Sequence, residues 1–334
     1  RLSPLLDTML SAVASNESIL QVLAVLKAYL RVWHRSSKQK LTRLPFDSPT
    51  RGAVCAYLVE KHDILHVIMD SLIASKRALR VSCDVSLPVE VAGDAAHMKT
   101  TYTERLEPSL SFMCTVIQSS DKISTNYAEV EMLWKEVLLQ AESAEERDAV
   151  LLFIGSLYSD VDDEDGRGGN PVYCSSEEDM SLVFDKLVCD THFIASTHFS
   201  MSGLKCMDRL FYEVNKRSGM LVSVSQSASC HAFLKRDHCI ETTNITELQG
   251  FASYINVVFD CPYDDVAAKA AKALAQAARR VEPDAKTALR QWLLSRATDQ
   301  LVRVEAEIKA KGGAMTADDG RRARRAVCLT EAIL

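Results

Sequence analysis

Residues 203–215, Gly203-Leu-Lys-Cys-Met-Asp-Arg-Leu-Phe-Tyr-Glu-Val-Asn215, read as a short helix that must be buried. Leu204, Met207, Leu210, Phe211 and Val214 follow at steps of three, three, one and three, which places them on one stripe at helical period. Ser202 stands where an N-cap is expected. Asn215, with Gly219 four residues on, marks the expected stop. Phe193, Ile194, Phe199 and Met201 come just before, too apolar and too closely set for a free linker. A stripe of this kind needs covering, and the chain on both sides offers further amphipathic helices.

Composition points the same way. The chain has 334 residues, 47% of them hydrophobic, with only 12 Gly and 8 Pro, too few for a fold built on tight turns. That favours helices over a sandwich or barrel, in two average domains or one repeat array. The net charge of −6 gives no reason to expect nucleic acid or an anionic membrane as partner. No run approaches the roughly 18 apolar residues of a membrane-spanning helix. The first residue is Arg1, no signal-peptide pattern follows, and the chain reads as a piece of a longer protein. The ten Cys residues include no CxxC and no regular spacing, and several fall on apolar helix faces. This is the usage of a reducing compartment, cytoplasm or nucleus.

Taken in order, residues 3–14 and 17–34 form an expected helix pair, followed by the polar loop Arg35-Ser-Ser-Lys-Gln-Lys40. Residues 49–60 and 64–78 are the next two helices, the second carrying Leu65, Ile68, Met69, Leu72 and Ile73 on one face. Residues 80–100 lose the helical period and hold Pro88 and Gly93, so a loop is expected there. Helix resumes over 101–118, where Pro108 marks a kink or the true start, and again over 127–141. Ser143-Ala-Glu-Glu146 is a capping box for the helix that follows. Residues 159–175 are acidic and Gly-rich, a solvated loop. A helix spans 176–188, and helices are expected over 247–259, from Asp264 or Asp265 to about 278, and over 284–311 with Leu289, Leu293, Leu301 and Val304 as core. Gly312-Gly313 ends the last of these, and Thr316 opens a final helix.

The whole reads as all-α, an α-solenoid of antiparallel helix pairs of HEAT or armadillo type. N-terminal repeats occupy 1–158, the acidic loop 159–175, and C-terminal repeats 176–334, continuous with the first as one superhelix. Pro262 followed by Asp264-Asp-Val-Ala-Ala-Lys-Ala-Ala-Lys-Ala-Leu274 looks like the second helix of such a repeat, whose small Ala residues allow close stacking.

Sites of chemistry are sparse. An EF-hand starting at Asp160 needs Gly at 165 and Glu at 171, where the chain has Asp165 and Pro171. Cys230-His231 and His238-Cys239 place four metal-capable side chains in ten residues, but zinc pairs are usually spaced by two or more residues, and a surface loop is the simpler reading. His192 and His198 read as local hydrogen-bonding residues. There is no phosphate-binding Gly-rich loop, no HExxH and no GxSxG. Cys206 lies on or near the apolar stripe, where burial disfavours a thiolate. No catalytic, cofactor-binding or metal-binding residue is assigned, and no cofactor is expected.

One resemblance is sharper. Phe199-Ser-Met-Ser-Gly-Leu-Lys-Cys-Met-Asp-Arg-Leu-Phe-Tyr-Glu-Val-Asn215, with Gly219-Met-Leu-Val222 after it, is similar to the helical region of the very large ubiquitin-specific proteases of the fat-facets type. The helix at Trp134, the acidic loop, the helix after Glu247 and the Trp292-to-Leu301 helix fall in the family's order. Arg324-Arg-Ala-Val-Cys-Leu-Thr-Glu-Ala-Ile-Leu334 resembles the helix before that family's ubiquitin-like domain. The resemblance spans 44–334 and rests mainly on 199–222 and 247–334. It implies a non-catalytic scaffold segment of a deubiquitinase, a thiol protease or ubiquitin carboxyl-terminal hydrolase. The catalytic Cys and His would lie in a separate downstream domain, and the partners would be protein substrates or ubiquitin chains. The alternative is a free-standing HEAT-like adaptor with no enzymatic parent.

Overall fold

The computed structural model describes residues 51–84, 89–117, 127–157, 177–217, 246, 248–280 and 283–334. The expected helix pair before residue 50, the acidic loop and the Cys230–Cys239 segment lie outside the described residues. Those described are all-helical, with no strand among them. They fall into two compact units, one up to Leu157 and one from Glu177 on.

The first unit holds α1 (Arg51–His62), α2 (Ile64–Asp84), α3 (Val89–Ile117), α4 (Tyr127–Leu133) with a π-helical turn (Trp134–Leu138), and α5 (Ala144–Leu157). Asp63 separates α1 from α2 in a left-handed conformation, φ 46°, and its N–H bonds to the Val59 carbonyl at 3.0 Å. Short polar side chains tolerate that backbone best after glycine. The α2 stripe of Leu65, Ile68, Met69, Leu72 and Ile73 is buried as its period requires. The loop expected over 80–100 is corrected: α2 runs on to Asp84 and α3 begins at Val89. Pro88 lies outside the described residues, and Gly93 is carried inside α3. Pro108 also lies within α3. That helix packs against both α2 and α5 and contributes Leu106, Leu110, Phe112, Met113 and Val116 to the core.

The second unit holds α6 (Glu177–Phe184) with a π-helical turn (Asp185–Cys189), α7 (Thr191–Ile194), α8 (Met201–Arg217), α9 (Phe251–Asp260), α10 (Asp264–Arg280), α11 (Pro283–Ala310) and α12 (Ala317–Ile333). The stripe of α8 is the centre of its core: Leu204, Met207, Leu210 and Phe211 are fully buried and Val214 nearly so. Phe211 meets Tyr254 of α9 edge to face, with ring centroids 5.4 Å apart. Phe193 and Phe199 pack likewise at 5.7 Å, which accounts for the apolar run ahead of the helix.

Several ends differ from expectation. The cap of α8 is Ser200, not Ser202: its Oγ accepts from the Ser202 N–H at 3.1 Å. Asn215 does not stop α8, which runs to Arg217. Residue 248 precedes α9, which starts only after Gly250 at φ 78°. Asp264 is the first residue of α10 rather than its cap, and Leu301 is 37% exposed rather than core. Gly312 and Gly313 do end α11, with φ of 72° and 91°. Their N–H groups reach back to the Lys309 and Ile308 carbonyls at 3.1 and 2.9 Å, the Schellman pattern. Thr316 caps α12 in a full capping box with Asp319.

Candidate functional site

The second unit carries a groove built from two helical stripes that face each other. On α10, Asp264, Ala267, Ala268 and Ala271 are spaced at i, i+3, i+4 and i+7; on α12, Arg321, Arg324, Arg325 and Cys328 have the same spacing. With Val258 of α9 they line a cavity of about 240 Å³. Small side chains on α10 leave the space, and long ones on α12 roof it. The floor is apolar and the rim cationic.

Each arginine has a distinct setting. Arg325 is the anchor, its side chain only 10% exposed. Its Nη1 donates to the carbonyls of Cys261 at 2.7 Å and Val258 at 3.2 Å, capping the C-terminus of α9, where a cation also meets the negative end of the helix. Its Nε donates to Asp264 Oδ1 at 3.1 Å, and this guanidinium holds the Asp264 carboxyl below its ordinary range. Arg321 pairs with Asp318 one turn earlier on its own helix. Arg324 is exposed, and its Nε approaches the Gly320 carbonyl at 3.4 Å. No ion pair among the described residues engages Arg324.

A second cavity, about 190 Å³, lies between α9 and α11 beside Phe259 and Trp292. Its charged groups come in both signs, Arg296 and Arg303 with Asp260 and Asp299. Arg296 lies over the Trp292 ring at 5.3 Å. Two arginines and two aspartates give this lining no net formal charge.

The buried polar groups serve the packing. Tyr254 Oη donates to Asp208 Oδ1 at 2.6 Å, joining α9 to α8. Asn215 holds the turn before α9: its amide donates to the Gln249 carbonyl at 3.0 Å and its oxygen accepts from the Gln249 N–H at 2.9 Å. In the first unit Lys76, 2% exposed, donates to Glu146 at 2.8 Å, and Tyr102 Oη donates to the same carboxylate at 2.8 Å. The capping box expected at Ser143 forms in part. The Glu146 N–H bonds to Ser143 Oγ at 3.1 Å, but the Glu146 carboxylate accepts from the N–H of Glu142.

Cys206 is 2% exposed, and burial pushes its thiol up to about 12, with Arg209 offsetting only part of the effect. A nucleophilic thiolate is disfavoured there at neutral pH. His192 and His198 sit in α7 and the turn after it, and the backbone N–H of His192 bonds to the Asp190 cap at 2.9 Å. Among the described residues no three His, Cys, Asp or Glu side chains are grouped as metal ligands. No helix among them is long and apolar enough to cross a membrane. Sequence reasoning missed the groove, although the matching i, i+3, i+4, i+7 spacing on two helices was there to be read.

No protein-family model matches this chain, and no curated protein matches it either.

Proposed function

We propose that this chain is a non-catalytic helical scaffold segment of a deubiquitinating cysteine protease, shaping recruitment of substrates or ubiquitin chains for a catalytic domain elsewhere in the parent. The observation that supports this most is the setting of residues 199–215, which carry the resemblance. They form a packing helix whose Lys-Cys pair places Cys206 in the core. A segment of that kind organises a scaffold and does no chemistry. Helix stacking in the second unit supports the HEAT-like reading: α9 packs on α10 and α11 on α12, while α10 also packs on α12. Ala267, Ala270 and Ala273 are buried along α10, the small residues that close stacking needs. The site of action would be the cytoplasm or nucleus.

The second reading is a HEAT-like protein-binding adaptor with no protease attached. The groove favours it equally, because an apolar floor with a cationic rim suits a protein ligand whatever follows Leu334. Two measurements separate the readings. Sequencing the parent transcript past Leu334 is expected to reveal a ubiquitin-like segment and separated Cys and His boxes; a stop codon there favours the adaptor. Residues 1–334 alone are expected not to cleave a fluorogenic ubiquitin substrate. Cleavage abolished by thiol alkylation would overturn both readings.

A further inference from the structure

We infer that the α10–α12 groove is a docking site for a short acidic protein segment that places one aliphatic side chain on the alanine floor and its flanking carboxylates on the arginine rim. The argument is one of charge and shape, and it stands whether or not a protease domain is attached. Of the charged residues lining the cavity, three are arginines, and Asp264 is the lone carboxylate among them. Asp264 is taken by Arg325 and Asp318 by Arg321, while the exposed Arg324 makes no ion pair among the described residues, approaches the Gly320 carbonyl and acts on Asp264 only at longer range. Asp265 is exposed at the start of α10 and outside the lining, where it limits how far acidic groups extend in that direction.

A guanidinium offers a planar fork of donors that matches a carboxylate in two parallel hydrogen bonds. Arg324 can present that fork without breaking an existing pair. Arg321 is paired with Asp318, which Arg322 also approaches at 3.4 Å, so Asp318 keeps a cationic partner when Arg321 turns to a ligand. Arg325 is already committed to helix carbonyls and serves as a fixed wall. The floor of Val258, Ala267, Ala268 and Ala271 has methyl groups and no polar side chain to satisfy, so an aliphatic residue is the group it accepts. A nucleic-acid strand fits less well. It needs a basic track longer than this cluster, on a protein whose net charge is −6.

The test uses a fluorescein-labelled peptide, Glu-Glu-Leu-Glu-Glu, titrated with the whole chain and followed by fluorescence anisotropy. Saturable binding is expected, weakening with added salt. Changing the four Glu to Gln, or Leu to Gly, should each raise Kd at least tenfold. Arg324→Glu should do the same, and its exposed position leaves the fold intact by circular dichroism. Ala268→Phe, also at an exposed site, should block the floor and abolish binding while Arg324 stays in place. The inference is overturned if the peptide does not bind, if the Gln peptide binds equally, or if both variants bind as the parent does. It is also overturned if a labelled single-stranded oligonucleotide or a phosphopeptide binds more tightly and is the ligand that Arg324→Glu releases. None of these outcomes bears on the transcript past Leu334, so this inference and the scaffold reading fail separately.

Discussion

Lys76 sits three residues after Ile73 and four after Leu72, on the apolar stripe of α2, so the geometry of its own helix commits it to the core. A buried ammonium is tolerable only when paired and hydrogen-bonded. Glu146 supplies the charge, and Tyr102 places its ring 5.6 Å from the ammonium while its hydroxyl bonds to the same carboxylate. Burial and that carboxylate together raise the Tyr102 phenol well above its ordinary range, so it is a donor at neutral pH. Lys76→Met is therefore expected to destabilise the first unit by about 3–5 kcal/mol, because it strands a buried carboxylate. Adding Glu146→Gln should restore most of that loss. Urea unfolding of the two variants checks this, and a single-variant loss of only about 0.5 kcal/mol would mean the pair behaves as if exposed. At Cys206 a polarisable side chain fills core space, and its neighbour Lys205 points to solvent.

Helices in this chain begin and end by local chemistry, and their faces do the packing. Phe211 carries the α8–α9 contact, fully buried and edge-on to Tyr254. Phe211→Ala should cost about 3–5 kcal/mol in reversible unfolding; a loss of about 1 kcal/mol or less would show that the surroundings collapse into the space or that the face is exposed. The start of α12 gives a pH signature. The Asp319 side chain accepts from the Thr316 N–H at 2.9 Å and from Lys311 at 3.1 Å. These bonds lower its pKa from 3.8 to about 2. Because the folded value lies below the unfolded one, the stabilisation is complete above about pH 4. It is lost as pH falls through about 2. Asp319→Asn should lower the melting temperature at pH 7 and flatten this part of the acid profile, as thermal melts between pH 7 and 2 would show. An unchanged acid profile in the variant would count against the capping role. The π-helical turns after α4 and α6 also belong to this level. In the first, Leu139 N–H reaches the Trp134 carbonyl at 2.9 Å, and Trp134, Val137 and Leu138 all remain buried in the widened turn.

For the molecule as a whole, the described cysteines divide by exposure. Cys55, Cys206 and Cys261 are buried, Cys114 is half-buried, and Cys189 and Cys328 are exposed. Burial raises the thiols of Cys206 and Cys261, and burial together with Asp185 raises that of Cys189. Brief iodoacetamide labelling of the native chain at pH 7.5, read by peptide mass spectrometry, should mark Cys328 first. Cys206 should be labelled only after denaturation. Native labelling of Cys206 as fast as Cys328 would contradict the buried α8 stripe and, with it, the scaffold reading.

Sequence alone determined where most of the described helices lie and, Leu301 apart, which apolar residues turn inward. The α8 stripe, the Gly312-Gly313 stop and the Thr316 start are set by interactions within about one turn, and such interactions are legible residue by residue. Reading failed at 80–100, because the residues there show no clean helical period although α2 runs to Asp84 and α3 begins at Val89. It also failed for Ser202 and Asn215, where a nearby serine and a distant backbone competed for the same roles. Only the tertiary structure decided the long-range partners. Lys76 meets Glu146 across 70 residues, Asn215 meets Gln249 across 34, and Arg325 meets Asp264 across 61. The arginine-rimmed groove belongs with them. Its two stripes are each ordinary surface patterns, and they become a site only when α10 and α12 pack side by side. Periodicity tells each helix which side to bury but not against which neighbour, because many apolar faces are interchangeable until all of them pack at once.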